Sequence, residues 1–148
     1  MIEAFHLDKR VVDSIDISPD GRFVTGVGYD RHVNLYDRQT RKSRAFIEKL
    51  GGFPTIVRFS PDGKRILTGS LDGKVRLWFT ETGDQVMNWD IPANNWPSAG
   101  FSSQGNAIVV GGISFAKVIH APISAELRQL SVSALQNQAC QNVSTRGR

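Results

Sequence analysis

Short runs that alternate apolar and polar side chains recur along most of the chain. Lys74-Val75-Arg76-Leu77-Trp78 repeats every second residue, the pattern of a strand with one face buried. Arg65-Ile66-Leu67-Thr68-Gly69-Ser70 reads as a second strand beside it. Turn sequences separate such runs. In Pro-Asp-Gly and Asp-Gly, proline presets φ and glycine accepts the positive φ of a tight reversal. The pattern predicts strands at about 11–17, 22–29, 32–37 and 44–47, then 55–59, 65–70, 74–79 and 84–89, then 97–101, 106–111 and 116–120. The apolar residues stay in short runs, and none approaches the roughly 18 uninterrupted positions of a membrane helix.

The runs repeat. Ser18-Pro19-Asp20-Gly21 returns as Ser60-Pro61-Asp62-Gly63 at an offset of 42 residues, and one further offset gives the weakened copy Ser102-Ser103-Gln104-Gly105. Ile17, Phe59 and Phe101 precede the turn, and Val24, Ile66 and Ile108 follow it. In the same register Asp30 matches Asp72, Val33 matches Val75, Leu35 matches Leu77, and Tyr36 matches Trp78. Four short strands per repeat is the pattern of a propeller blade.

These residues resemble the WD-repeat family. The closest stretch is VRFSPDGKRILTGSLDGKVRLW, Val57 to Trp78; IDISPDGRFVTGVGYDRHVNLYD, from Ile15, is similar, with Tyr36 where the family has Trp. The resemblance covers roughly residues 8–121 and fades in the third repeat. It implies an all-β fold, a partial WD-repeat β-propeller of about three four-stranded blades, followed by a short C-terminal helix. Residues 1–121 are expected to form the blades, as repeats of about 8–49, 50–91 and 92–121, and residues 122–148 a helical cap and flexible tail. Ile123, Leu127, Leu130 and Ala134 carry the helical spacing, with Ser124 as N-cap. The segment 2–7 is read as an outer strand.

The family often places a Gly-His pair ahead of the Ser-Pro-Asp-Gly turn, its His joining a buried network with a Ser/Thr, the turn Asp and the Trp. That His is missing here. The structural set that remains is Asp30 in repeat one, and Thr68, Asp72 and Trp78 in repeat two. The blades are therefore expected to lean on apolar packing and turns, and the Trp78 indole N–H needs another acceptor or a water, because an orphaned buried donor costs about 1–3 kcal/mol.

A blade cannot bury both faces by itself. The resemblance implies a ring of about seven blades, some 300 residues at this period, and the 148 residues make roughly half of one. The open faces are expected to be covered by a longer chain, by self-association or a second chain completing the ring, or by the non-repeat ends.

Composition bounds the chemistry. The formal net charge is +4, with basic residues scattered at turns and densest at Arg38, Arg41, Lys42 and Arg44. The one cysteine, Cys140, can neither close an internal disulfide nor supply a cysteine-rich zinc site, and no histidine stands at motif spacing to it. Gly51-Gly52 lacks the Gly-Lys-Ser/Thr ending of a phosphate loop. Asp20, Asp30, Asp62 and Asp72 recur in turns, where Asx-type bonding to backbone N–H groups explains them better than acid–base work. No catalytic residue, cofactor, metal or membrane association is expected, and a cytoplasmic location follows by default from the absence of a signal-like N-terminus.

The expected function is a non-catalytic scaffold for protein partners. The resemblance implies binding at the rim and at the face formed by loops around the central channel. Tyr29 and Leu71, just before the turn Asp, and Phe53, Thr55, Asn95 and Trp96, before the inner strands, are the candidates by position in the repeat. An exposed aromatic at Trp96 would anchor a partner, although packing is the plainer reading for both Trp89 and Trp96. The alternative is binding of nucleic acid or an anionic surface through Arg38, Arg41, Lys42 and Arg44, which counterion release would make steeply salt-dependent.

Overall fold

The computed structural model describes residues 11–47, 50–92 and 96–120. Eleven strands fill the described residues, in three antiparallel sheets that follow chain order. The first sheet is β1 (Val12–Ile17), β2 (Phe23–Gly28), β3 (Val33–Asp37) and β4 (Lys42–Ile47); the second is β5 (Pro54–Phe59), β6 (Arg65–Ser70), β7 (Lys74–Phe79) and β8 (Gln85–Asp90). The third holds three strands among the described residues: β9 (Ser98–Phe101), β10 (Ala107–Gly112) and β11 (Phe115–His120). The helix expected beyond residue 122, the outer strand expected at 2–7, Cys140 and Asn95 lie outside the described residues. The architecture is a partial β-propeller of consecutive up-and-down blades.

The repeated turn is built the same way three times. Ser18, Ser60 and Ser102 each accept a backbone hydrogen bond from glycine three residues on, at 2.8, 2.8 and 2.9 Å. Those glycines, Gly21, Gly63 and Gly105, take φ of 70°, 68° and 71°, which a side chain would strain. Each serine Oγ then accepts the N–H five residues on: Phe23 at 2.8 Å, Arg65 at 3.0 Å and Ala107 at 3.1 Å. Where Asp follows the Pro, its carboxylate accepts from the residue two along, Arg22 and Lys64, both at 3.0 Å. The turns also stack across blades. A Cβ at Gly63 would lie 3.4 Å from the Pro19 ring, and one at Gly105 would lie 3.3 Å from the Pro61 ring.

Alternation decides which way each apolar residue packs. Ile66 and Trp78 are cross-strand partners, and so are Leu67 and Leu77 one step along. Ile66 and Trp78 join Val27, Val33, Leu35 and Phe46 in a core between the first two sheets. Leu67, Val75 and Leu77 join Ala99, Ile108 and Val110 in a second core between sheets two and three. The middle sheet is therefore buried on both faces, and every residue of β6 is buried. At about 1.5–3 kcal/mol for each large apolar side chain, these two seams are the main favourable term. The outward faces have no such cover among the described residues: Ile15 and Ile17 on β1, and Val109 and Val118 on β10 and β11, are exposed.

The inner strands are also tied edgewise. Ser14 Oγ accepts the Val57 N–H at 3.3 Å, and Asp16 Oδ2 accepts the Phe59 N–H at 2.7 Å. Both inner strands begin with a bulge, between Val12 and Ser14 and between Pro54 and Ile56, one repeat apart.

Candidate interaction face

Strand direction alternates within a blade, so the β2–β3 and β6–β7 turns share one end of the sheets with the links from β4 to β5 and from β8 to β9. The candidate residues fall at this end. Tyr29 and Phe53 approach with ring centroids 5.5 Å apart and planes tilted by 48°. Arg31 lies over the Phe53 ring, its guanidinium carbon 4.5 Å from the centroid. The Phe53 carbonyl accepts the Leu71 N–H at 2.9 Å and the Ser70 hydroxyl at 3.2 Å, and this joins the blade-two link to the blade-two turn. Tyr29, Phe53, Leu71 and Trp96 are 48%, 36%, 39% and 64% exposed, so four large apolar side chains face water at one end of the sheets.

Thr55 is placed differently. It is half-buried, with Oγ1 3.5 Å from the carbonyls of Gly69 and Pro97, so it sits in the seam between blades two and three. Trp89 and Trp96 also part company. Trp89, on β8, packs against the second core, whereas Trp96 is exposed, contrary to the packing expected of it. The adjoining Pro97 is buried against Gly69, and this anchors the backbone while the indole stays outside.

Arg31 is the residue that sequence reasoning missed. It adopts φ of 63° at the position that Gly73 occupies, with φ of 77°, one repeat later. An arginine there carries a steric cost of roughly 1–2 kcal/mol. Its register match to Gly73 was the available signal.

The structural set behind the face is a network. Trp78 Nε1 donates to Thr68 Oγ1 at 2.9 Å, so the buried indole finds its acceptor on the neighbouring strand of its own sheet. Asp72 accepts the Lys74 N–H at 3.1 Å and both terminal nitrogens of Arg76, at 3.2 and 2.5 Å. Burial works against its ionised form, but the Arg76 hydrogen bonds and charge, together with the Lys74 N–H and the Ser70 hydroxyl, hold the carboxyl below its ordinary value. The β4–β5 link closes onto this turn, where a Cβ at Gly52 would lie 2.6 Å from the Asp72 nitrogen. In blade one Asp30 accepts the His32 N–H at 2.9 Å and the Asn34 side-chain amide at 3.1 Å. All four repeated aspartates thus bond the N–H two residues ahead, the Asx role expected of them.

The basic group at the β3–β4 turn lies at the opposite end. Arg38 donates to the Gly21 carbonyl at 2.7 Å, and Arg44 lies over the Phe46 ring at 5.3 Å. Among the described residues no cluster of three His, Cys, Asp or Glu side chains could hold a metal ion, and no helix is long and apolar enough to cross a membrane.

Stacked four-stranded sheets with a Ser-Pro-Asp-Gly turn and a Thr–Trp bond define a propeller blade of the WD class. The family profile described as WD domain, G-beta repeat, matches residues 4–37 and 51–78. These two stretches of the chain are WD repeats. It is 37% identical over 80 residues to WD repeat-containing protein 1 of Bos taurus, a match covering 53% of this chain and 13% of that protein. It is 32% identical over 78 residues to the serine-threonine kinase receptor-associated protein of Homo sapiens, covering 53% and 22%. It is 33% identical over 87 residues to the target of rapamycin complex subunit wat1 of Schizosaccharomyces pombe, covering 57% and 27%. The match thus spans at most about a quarter of these relatives' length.

Proposed function

We propose that the chain is a non-catalytic scaffold that binds protein partners through the end of the blades bearing Tyr29, Arg31, Phe53, Leu71 and Trp96. The observation that carries this reading is the exposed Tyr29–Phe53–Arg31 stack. Aromatic and arginine side chains are the types that dominate interface energetics, because they bury much area with few rotatable bonds. Here they are pre-arranged by backbone hydrogen bonds, so little ordering remains to be done on association. One of the similar proteins is by name a complex subunit and another a receptor-associated protein, which fits a scaffold. The exposed outward sheet faces are read as stacking surfaces for further blades, supplied by a longer chain or a second copy; the solution mass by light scattering distinguishes the two.

The test is capture of partners from a cell lysate by the chain and by its Tyr29→Ala and Trp96→Ala variants. Both substitutions are expected to weaken capture while the circular dichroism spectrum is unchanged. Capture that survives both would place the binding surface elsewhere.

A further inference from the structure

At the opposite end of the sheets, in the seam between blades one and two, lies a cavity of about 610 Å³. That volume is in the range of pockets that enclose a small ligand or a few peptide residues. Phe23, Leu35 and Phe79 supply apolar lining, drawn from β2, β3 and β7. The polar lining is split by origin. Arg44 comes from β4 and Lys64 from the β5–β6 turn, while Glu81 and Asp84 come from the β7–β8 turn. Among the described residues, none of these four has an opposite charge within the 4.0 Å of an ion pair. Arg22 also lines the cavity, but its Nη2 is already bound to Asp37 at 2.9 Å.

The two turns are locked together. The Thr80 N–H donates to the Lys64 carbonyl at 3.0 Å, so a cation-bearing turn and a carboxylate-bearing turn adjoin. Thr80 lines the cavity, is 9% exposed, and its Oγ1 has no hydrogen-bond partner among the described residues. A buried hydroxyl left so is costly, and a bound polar group is one way to satisfy it.

We propose that this cavity binds a short peptide segment that presents an apolar side chain between a carboxylate and a basic side chain. The apolar group would occupy the Phe23–Leu35–Phe79 lining, its carboxylate neighbour would meet Arg44 and Lys64, and its basic neighbour would meet Glu81 and Asp84. A uniformly acidic or uniformly basic segment matches one pair of lining charges and is repelled by the other, which is how charge placement selects a partner. The site is separate from the aromatic face, so either can fail without the other.

The test is a titration of the ¹⁵N-labelled full chain, followed by amide chemical shifts, with the acetylated and amidated peptides Glu-Phe-Lys and Lys-Phe-Glu. Glu-Phe-Glu, Lys-Phe-Lys and Glu-Ala-Lys serve as controls. At least one mixed-charge order is expected to bind about threefold or more tighter than every control, with shifts centred on residues 63–64 and 79–84. Lys64→Gln and Glu81→Gln, both at exposed positions, are each expected to weaken it about two- to fivefold. Thr80→Val, which removes no existing hydrogen bond, is expected to keep the fold and weaken binding. Equal affinity for all the peptides, shifts mapping elsewhere, or no shifts at all would overturn the proposal. Equally strong shifts of the same amides with free phenylalanine would overturn the peptide assignment in favour of a small zwitterion.

Discussion

The guanidinium of Arg65 in β6 donates from Nη2 to the carbonyl oxygen of Gly105, 2.9 Å away in the β9–β10 turn of the next blade. Arg65 is 1% exposed, with Asp62 at 3.7 Å and the Phe101 ring centroid at 5.5 Å. A cation taken out of water is costly unless other groups replace its hydration. Burial lowers the Arg65 pKa, opposed by the Asp62 charge. The carbonyl, the carboxylate and the ring together replace part of that hydration, and in doing so they bind blade two to blade three.

Arg65→Ala is therefore expected to lower the unfolding free energy by about 2–4 kcal/mol, since it leaves a void and an unpaired carbonyl in the seam. Arg65→Met fills much of the volume without a charge and should cost markedly less. Urea denaturation of the two variants checks this; equal losses would mean that the polar contacts, rather than the packing, hold the seam.

The Trp78–Thr68 bond makes a second prediction. Thr68→Val preserves shape but leaves the buried indole N–H without its acceptor, at about 1–3 kcal/mol. Thr68→Ser keeps the acceptor and should lose less. Thermal unfolding followed by tryptophan fluorescence reads both.

The Asp72–Arg76 pair makes stability depend on acid. The Asp72 carboxyl is held below its ordinary value in the folded chain, so the unfolded state binds the proton more readily. Its contribution is then complete above the unfolded value, about pH 4. It is lost as pH falls through the lower, folded value. Asp72→Asn should flatten this part of the stability profile below about pH 4 relative to the parent, measured by urea denaturation at a series of pH values. An unchanged acid limb would assign the dependence to other carboxylates.

Gly69 is crowded from two sides, by its cross-strand partner Ile56 in the same sheet and by Pro97 at the entry to blade three. A Cβ there would sit 2.6 Å from Ile56 Cγ2 and 3.1 Å from Pro97 Cβ. Gly69→Ala must displace the Ile56 side chain and crowd the Pro97 ring, and a loss of about 1–3 kcal/mol is expected. A neutral or stabilising result in chemical denaturation would show that the seam has room.

Much of the blade was legible in the residues. Strand limits fell within about two residues of the pattern, because each strand is bounded by a turn whose chemistry is local. The β3–β4 turn was the least well read: β4 begins at Lys42 rather than near residue 44, since Arg41 makes the reversal with φ of 56°, a conformation that its residue type does not announce. The candidate face was legible only by position. Tyr29, Phe53 and Leu71 are drawn together, Thr55 turns into a seam, and Arg31 enters unforeseen.

The division has a physical cause. The Ser18, Ser60 and Ser102 turns are closed by bonds reaching three and five residues along the chain, so the identities of serine and glycine, joined by aspartate in the first two, suffice to specify them. The period of the apolar residues likewise sets which face of each strand is buried. The side-chain hydrogen bonds that join the sheets reach 40 to 44 residues, as between Arg65 and Gly105 or Arg58 and Ser14. A period says which strands face one another, but not which side chain crosses the gap. That depends on the separation and twist of two stacked sheets, and only the tertiary structure decides it.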